Sequence, residues 1–212
     1  MLLCLLAGCS VQKPAAPAAA IETPWAEQVS AVRAGRSDRI MLLETAVDAA
    51  ALQNLSADLG LRHLELPRTP LDDAAAAALA RIAPLEVLVV GDSPLTNAGL
   101  QSLGRLRNLR RLNLPLVAAD DAGAAALAQL PQLESLRLGG PRLTGDTLRE
   151  LAAHKPPLRF LILREMPLGD ADLESLAALV QLESLYLEGT RVTETGAQRL
   201  ERSRPQLHVH FP

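Results

Sequence analysis

Few side chains in this sequence are equipped for chemistry. His208 and His210, in the string "LHVHF", stand two residues apart, a spacing that puts both on one side of a strand. Two imidazoles begin a metal site, but a transition metal needs at least a third protein ligand. No neighbouring Cys, Asp or Glu supplies it. His63 lies two residues from Glu65, yet no nucleophile accompanies them. Asp72-Asp73 and Asp120-Asp121 are paired carboxylates, but they fall where helices are expected to begin, and anions there meet the helix dipole favourably. Gly139-Gly140 lacks the spacing of a phosphate loop. No catalytic set emerges, so the chain is expected not to be an enzyme, and no cofactor or metal ion is expected.

Composition narrows the classes further. Of 212 residues, 49% are hydrophobic but only 2% are aromatic, so the core must be built from Leu, Ala, Val and Ile. Such a core suits many thin, similar layers better than one thick one. The net charge of −3 offers no broad basic field, which excludes nucleic acid as an expected partner. Both cysteines, Cys4 and Cys9, lie in the first nine residues, so the remainder has no disulfide and no thiolate. No apolar run approaches the ~20 residues of a membrane span.

The N-terminal string "MLLCLLAGCS" is an apolar run ending in Leu6-Ala7-Gly8-Cys9, and the Ala- and Pro-rich "SVQKPAAPAAAIETP" follows it. This resembles a bacterial lipoprotein signal, in which the cysteine is lipidated and becomes the mature N-terminus. The resemblance implies Cys9 as the lipidation site, a multiply acylated (palmitate-bearing) anchor in the membrane, and a flexible tether behind it. Ser10 carries none of the acidic character associated with inner-membrane retention. The implied location is therefore the bacterial envelope, at the outer membrane, facing the periplasm or the cell surface. Only eight residues precede Cys9 and none is basic, so the start of the signal is expected to lie upstream.

Self-similarity organises the rest. Cut before each "LxxLxL", the chain falls into units 61–84, 85–108, 109–132, 133–157, 158–181 and 182–206, of 24 or 25 residues each. Their leading strings are "LRHLEL", "LEVLVV", "LRRLNL", "LESLRL", "LRFLIL" and "LESLYL". A weaker unit at 37–60 precedes them, and a last strand at 207–211 follows. Within each unit an apolar column (Leu71, Leu95, Ala119, Leu143, Leu168, Val192) leads into a helix-start residue (Asp72, Thr96, Asp120, Thr144, Gly169, Thr193). Apolar residues at helical spacing come next, as in Leu100, Leu103 and Leu106. Each unit is therefore a short strand, a turn and a short helix, and only stacking buries its apolar face.

The strings "LESLYLEGTRVTETGAQRL" and "LEVLVVGDSPLTNAGLQSL" resemble bacterial leucine-rich repeat proteins, most nearly those with ribonuclease-inhibitor-like units. The resemblance implies an α/β leucine-rich repeat solenoid, with a parallel sheet on the concave face, helices on the convex face and a protein as partner. The chain departs from the family at the ninth place of the unit. There Thr69 and Thr190 alternate with Ser93, Val117, Pro141 and Met166, which breaks any polar ladder. The segment "TPWAEQVSAVRAG" reads as a helix capped by Thr23 and stopped at Gly35, with Trp25, Val29 and Val32 covering the open end of the stack. The chain is thus expected to divide into a signal and lipidation site at 1–9, a tether at 10–22, a covering helix at 23–36 and a repeat domain at 37–212.

Stacked parallel strands sit about 4.8 Å apart, so equivalent positions form columns. The fourth and sixth places point inward, the third and fifth outward. The second column, Arg62, Glu86, Arg110, Glu134, Arg159 and Glu183, alternates in sign without a fault and reads as a structural ladder. The third and fifth columns bring together Arg111, Arg137, Phe160, Ile162 and Tyr186, with Arg164 one step along. Aromatics and arginines are favoured interface anchors, so these six are the candidate protein-binding residues. Val87 and Val89 form a second outward apolar pair. The expected function is a membrane-anchored protein-binding module. The alternative is a structural or inhibitory periplasmic repeat protein without a dedicated concave site.

Overall fold

The computed structural model describes residues 23–211; Cys9, the lipoprotein signal and the tether lie outside them. One parallel sheet of eight strands runs in strict chain order. Its strands are β1 (Arg39–Met41), β2 (His63–Leu66), β3 (Val87–Val90), β4 (Arg111–Leu114), β5 (Ser135–Gly139), β6 (Phe160–Arg164), β7 (Ser184–Glu188) and β8 (His208–His210). The helices α2 (Ala49–Gln53), α3 (Asp73–Leu79), α4 (Asn97–Leu103), α5 (Asp121–Ala128), α6 (Gly145–His154) and α7 (Glu194–Ser203) return the chain along the other side. Each packs against the neighbouring helix of the next unit, so two curved layers enclose one core.

Three leucines per unit build that core. Leu61, Leu64 and Leu66 are fully buried, as are Leu85 and Leu88 and their equivalents through Leu185. Register follows the expected columns: Ile40 pairs with Leu64, Leu64 with Leu88 and Leu161 with Leu185. The 25-residue unit keeps this register because its extra residue goes into α6, the helix of ten residues. Lys155, at φ 50°, ends α6 by donating its N–H to Leu151 O at 2.8 Å, ahead of Pro156-Pro157.

Three expectations need correction. The 158–181 unit carries a 3-10 helix (Asp170–Ala178) in place of an α-helix. Its start residue is Gly169, which has no capping side chain. The last strand enters one residue earlier than the "LHVHF" cut implies. His208 pairs with Ser184 and His210 with Tyr186, so the preceding unit spans 24 residues and Val209 faces inward. In α1 (Trp25–Arg33), Pro24 rather than Thr23 occupies the cap position, without a side-chain cap bond. The stop is as expected: Gly35 is left-handed (φ 66°), and the Gly35 and Arg36 N–H groups close back on Val32 O and Ala31 O.

A second lattice locks the helix layer, and its logic is a two-residue exchange between neighbours. At the thirteenth place of one unit, Asp73 accepts hydrogen bonds from the Thr96 N–H (2.9 Å) and hydroxyl (2.5 Å) of the next. Asp170 does the same to Thr193, at 2.7 Å for both. Asn97 exchanges bonds with Asp120. Asp121 receives the N–H and hydroxyl groups of both Thr144 and Thr147. For Asp73, Asn97 and Asp170, space comes from glycine at the fifteenth place of the following unit; for Asp121 that place is Thr147, which bonds to it. A Cβ on Gly99 would sit 2.3 Å from Asp73 Oδ1, one on Gly123 2.6 Å from Asn97 Oδ1, and one on Gly196 2.3 Å from Asp170. At the step into the 158–181 unit the exchange is inverted. The glycine is Gly145, and Asp172 of the following unit fills the gap while accepting from its own Gly169 N–H at 2.8 Å.

Both exposed sheet edges are closed by single side chains. The Gln28 amide pairs with Met41 of β1 as a strand would, donating to its carbonyl (2.9 Å) and accepting from its N–H (2.8 Å). At the other end, Glu201 accepts from Val209 N–H of β8 at 3.1 Å. Capped edges resist pairing with further chains.

Two outcomes test this lattice. Gly123→Ala should destabilise by about 1–3 kcal/mol, because its Cβ also meets Asn97 Cα at 2.8 Å. Gly60→Ala, with nothing within 4 Å, should stay within about 0.5 kcal/mol in urea melts. For Asp121, burial raises the carboxyl pKa, but the bonds from Thr144 and Thr147 outweigh it and the net shift is downward. Stability from that shift is fully present above about pH 4 and is lost as pH falls through the lowered value. Asp121→Asn should therefore lower the melting temperature at pH 7 and flatten its fall on acidification below pH 4.

Candidate functional site

The concave face is read across strands β4 to β8. Its third column is Arg111, Ser135, Phe160, Ser184 and His208; its fifth is Asn113, Arg137, Ile162, Tyr186 and His210. Leucines at the intervening positions are sealed in the core and Val209 packs against it partly buried, so these ten side chains make the surface. Phe160 is 39% exposed, an unusual value for a Phe, and Arg159 stacks its guanidinium 5.6 Å from the ring centre. Ile162 and Tyr186 are half-buried beside it. Tyr186 stacks on His210, with ring centroids 4.0 Å apart and planes 7° off parallel. That stack is what the shifted register of β8 creates.

The six candidate residues do converge, but their charges differ in availability. Arg137 donates to Glu188 at 3.0 Å, reaching across β6. Arg164 lies between Glu188 at 3.8 Å and Asp92 at 3.7 Å. It can extend that far because the seventh place of the neighbouring strand is Gly139, where a Cβ would stand 3.0 Å from Arg164 Cβ. Arg111 is exposed and, among the described residues, has no ion-pair or side-chain hydrogen-bond partner. Two buried polar atoms below this face also lack partners among the described residues, Asn113 Oδ1 and Arg137 Nε. Of the second apolar pair, Val87 is only 9% exposed and Val89 is half-buried.

The second column separates into discrete pairs. Arg62 meets Glu86, Arg110 meets Glu134 at 2.5 Å, and Arg159 grips Glu183 with two bonds of 2.8 and 3.0 Å. The bond from Arg159 holds the Glu183 carboxyl below the usual range, and Glu183 in turn pushes the Arg159 guanidinium up. At the ninth place the polar ladder runs for two steps. Thr69 Oγ1 accepts from Val47 N–H and Ser93 Oγ from Leu71 N–H, both at 2.9 Å. Thr190 Oγ1 then has no partner among the described residues, because Met166 O has already taken the Leu168 N–H. Arg204 is a structural residue that spacing alone conceals. It donates to the carbonyls of Ala177, Leu179, Val180 and Leu182, closing the end of the 3-10 helix.

No family model matches the sequence, and no curated protein does. Among solved structures, the chain is similar to a leucine-rich repeat protein of Leptospira interrogans. The TM-score is 0.53 and the identity 17%, over 83% of this chain and 49% of that one. It is also similar to an internalin of Listeria monocytogenes, with a TM-score of 0.59 and 18% identity over 87% of this chain and 57% of that one. The fold is that of a leucine-rich repeat solenoid. The chain spans about half the length of these two proteins, and at such identity the likeness is one of fold. Within this leucine-rich repeat solenoid, the histidines acquire no third ligand: among the described residues no cluster of three or more His, Cys, Asp or Glu side chains could hold a metal ion. Nor is any described helix long and apolar enough to cross a membrane.

The pairing in the second column sets a test. Glu134→Arg would face Arg110 and stand near Arg159, so the melting temperature should drop by roughly 1–4 °C at low salt. Most of that loss should disappear at 1 M salt, where screening acts within about 3 Å.

Proposed function

We propose that this chain is a membrane-anchored repeat lipoprotein whose concave sheet binds a protein partner. The observation that carries the reading is Phe160, exposed at the centre of a rigid face and flanked by Ile162 and Tyr186. An aromatic held by a stiff backbone offers contact area at little cost in conformational entropy, which is how interface anchors work. The rim of charges fits an interface as well: Arg111 has no ion-pair partner among the described residues, while Arg137 and Arg164 are held in place by Glu188 and Asp92. Lipidation at Cys9 would tether the solenoid by its N-terminal end to the bacterial envelope, at the outer membrane, with the Ala- and Pro-rich segment as leash.

Each half of the reading has its own test. Cys9→Ser should move the protein from the membrane fraction to the soluble fraction; unchanged partitioning removes the anchor. Phe160→Asp, in a protein whose melting temperature stays within a few degrees of the parent, should reduce crosslinked capture of the principal envelope partner at least tenfold. Undiminished capture moves the site off the concave sheet.

A further inference from the structure

The ten outward side chains of β4 to β8 include Arg111, Arg137, His208 and His210, and not one acid. This is a local reversal in a chain with 24 acidic residues and a net charge of −3. The acids in the flanking second and seventh places are engaged: Glu134 and Glu183 by Arg110 and Arg159, Glu188 by Arg137. In the third column, Arg111, the Ser135 and Ser184 hydroxyls and the His208 ring have no side-chain hydrogen bond among the described residues. Each open group of the third column can thus donate a hydrogen bond, and they surround one exposed aromatic. With only two arginines, the face lacks the continuous field that a polyanion such as nucleic acid requires.

We infer that the concave face takes an extended acidic peptide segment of a protein partner, crossing the strands along the third column; this rests on the binding role proposed for the face. Spacing gives the segment its pattern. Arg111 and Phe160 are two strand steps apart, as are Phe160 and His208, and each interval is about 10 Å at ~4.8 Å per step. A chain in the extended polyproline II form covers that interval in about three residues at ~3.1 Å each, and its three-residue turn keeps every third side chain on one side. One acid meets Arg111, an apolar side chain three residues on packs against Phe160 and Ile162, and a second acid three residues further meets His208. The imidazole donates a hydrogen bond even when neutral. Ser135 and Ser184 lie between these anchors and can donate to the backbone carbonyls of the segment.

The test uses the whole chain and two synthetic heptapeptides. One has glutamate at both ends and leucine at the centre, with Gly, Ser and Thr elsewhere; its twin has lysine at both ends. In titration calorimetry at 50 mM salt, the glutamate peptide should bind at least tenfold more tightly than the lysine twin. Arg111→Glu should reverse that order, and Arg111→Gln should reduce the preference severalfold, each with an unchanged melting temperature. Equal binding, preference for the lysine peptide, or a preference that survives Arg111→Glu overturns the inference. So does tighter binding of a twelve-residue oligothymidylate than of the glutamate peptide. If neither peptide binds while partner capture still depends on Phe160, the acidic segment is wrong and the concave face stands. If capture is indifferent to Phe160, the binding role itself falls.

Discussion

No unit of this chain can bury its own leucines. A strand of three to five residues and a helix of five to ten leave one apolar side bare, and only the next unit in register covers it. Every other feature depends on that register. It stacks Leu64 on Leu88 and Leu88 on Leu112, and in doing so it aligns the outward columns that make a surface. The exchange between polar side chains at the thirteenth place and the helix start of the next unit enforces the same register on the helix side, where smooth apolar packing alone would let units slide. Asp121, bonded to two threonines of the next unit, cannot keep those bonds if the unit slips by one residue.

Much of this was legible in the sequence because it is local or strictly periodic. The leucine columns, the alternation of inward and outward places and the solenoid itself follow from a 24-residue repeat. The exchange lattice was harder to read. Asp72-Asp73 look like two helix-start anions, and Asp72 is one, capping Ala75 N–H at 2.7 Å. Asp73 belongs to the following unit, a relation across 23 residues that appears only once the units are stacked. The glycines at the fifteenth place, which recur without an evident turn to make, were the available signal. The 3-10 helix went unforeseen because its apolar spacing (Leu173, Leu176, Leu179) suits either helix type, while the loss of a capping side chain at Gly169 was visible.

The candidate site was legible as a set of neighbours and not as a set of charges. Columns place Arg137 near Ile162 and Tyr186, as found. They do not reveal that a long side chain can cross a strand to Glu188, or that small residues at the seventh place let Arg164 lie along the sheet. The second column shows the same limit. Alternating signs imply a continuous ladder, but each guanidinium has one best carboxylate and takes it, leaving three pairs. What remains after this internal pairing is the useful part of the surface: Arg111 and two serine hydroxyls without side-chain partners among the described residues, and an exposed Phe160, all in one column.

The central claim is that function sits on the concave sheet and not on the helices. A photo-crosslinking amino acid at Ser135, in the third column, tests it against one at Gln101, exposed on α4. Irradiation of intact cells should give a discrete adduct from the Ser135 position and none from Gln101. Adducts from Gln101 alone, or equally from both, would contradict the account.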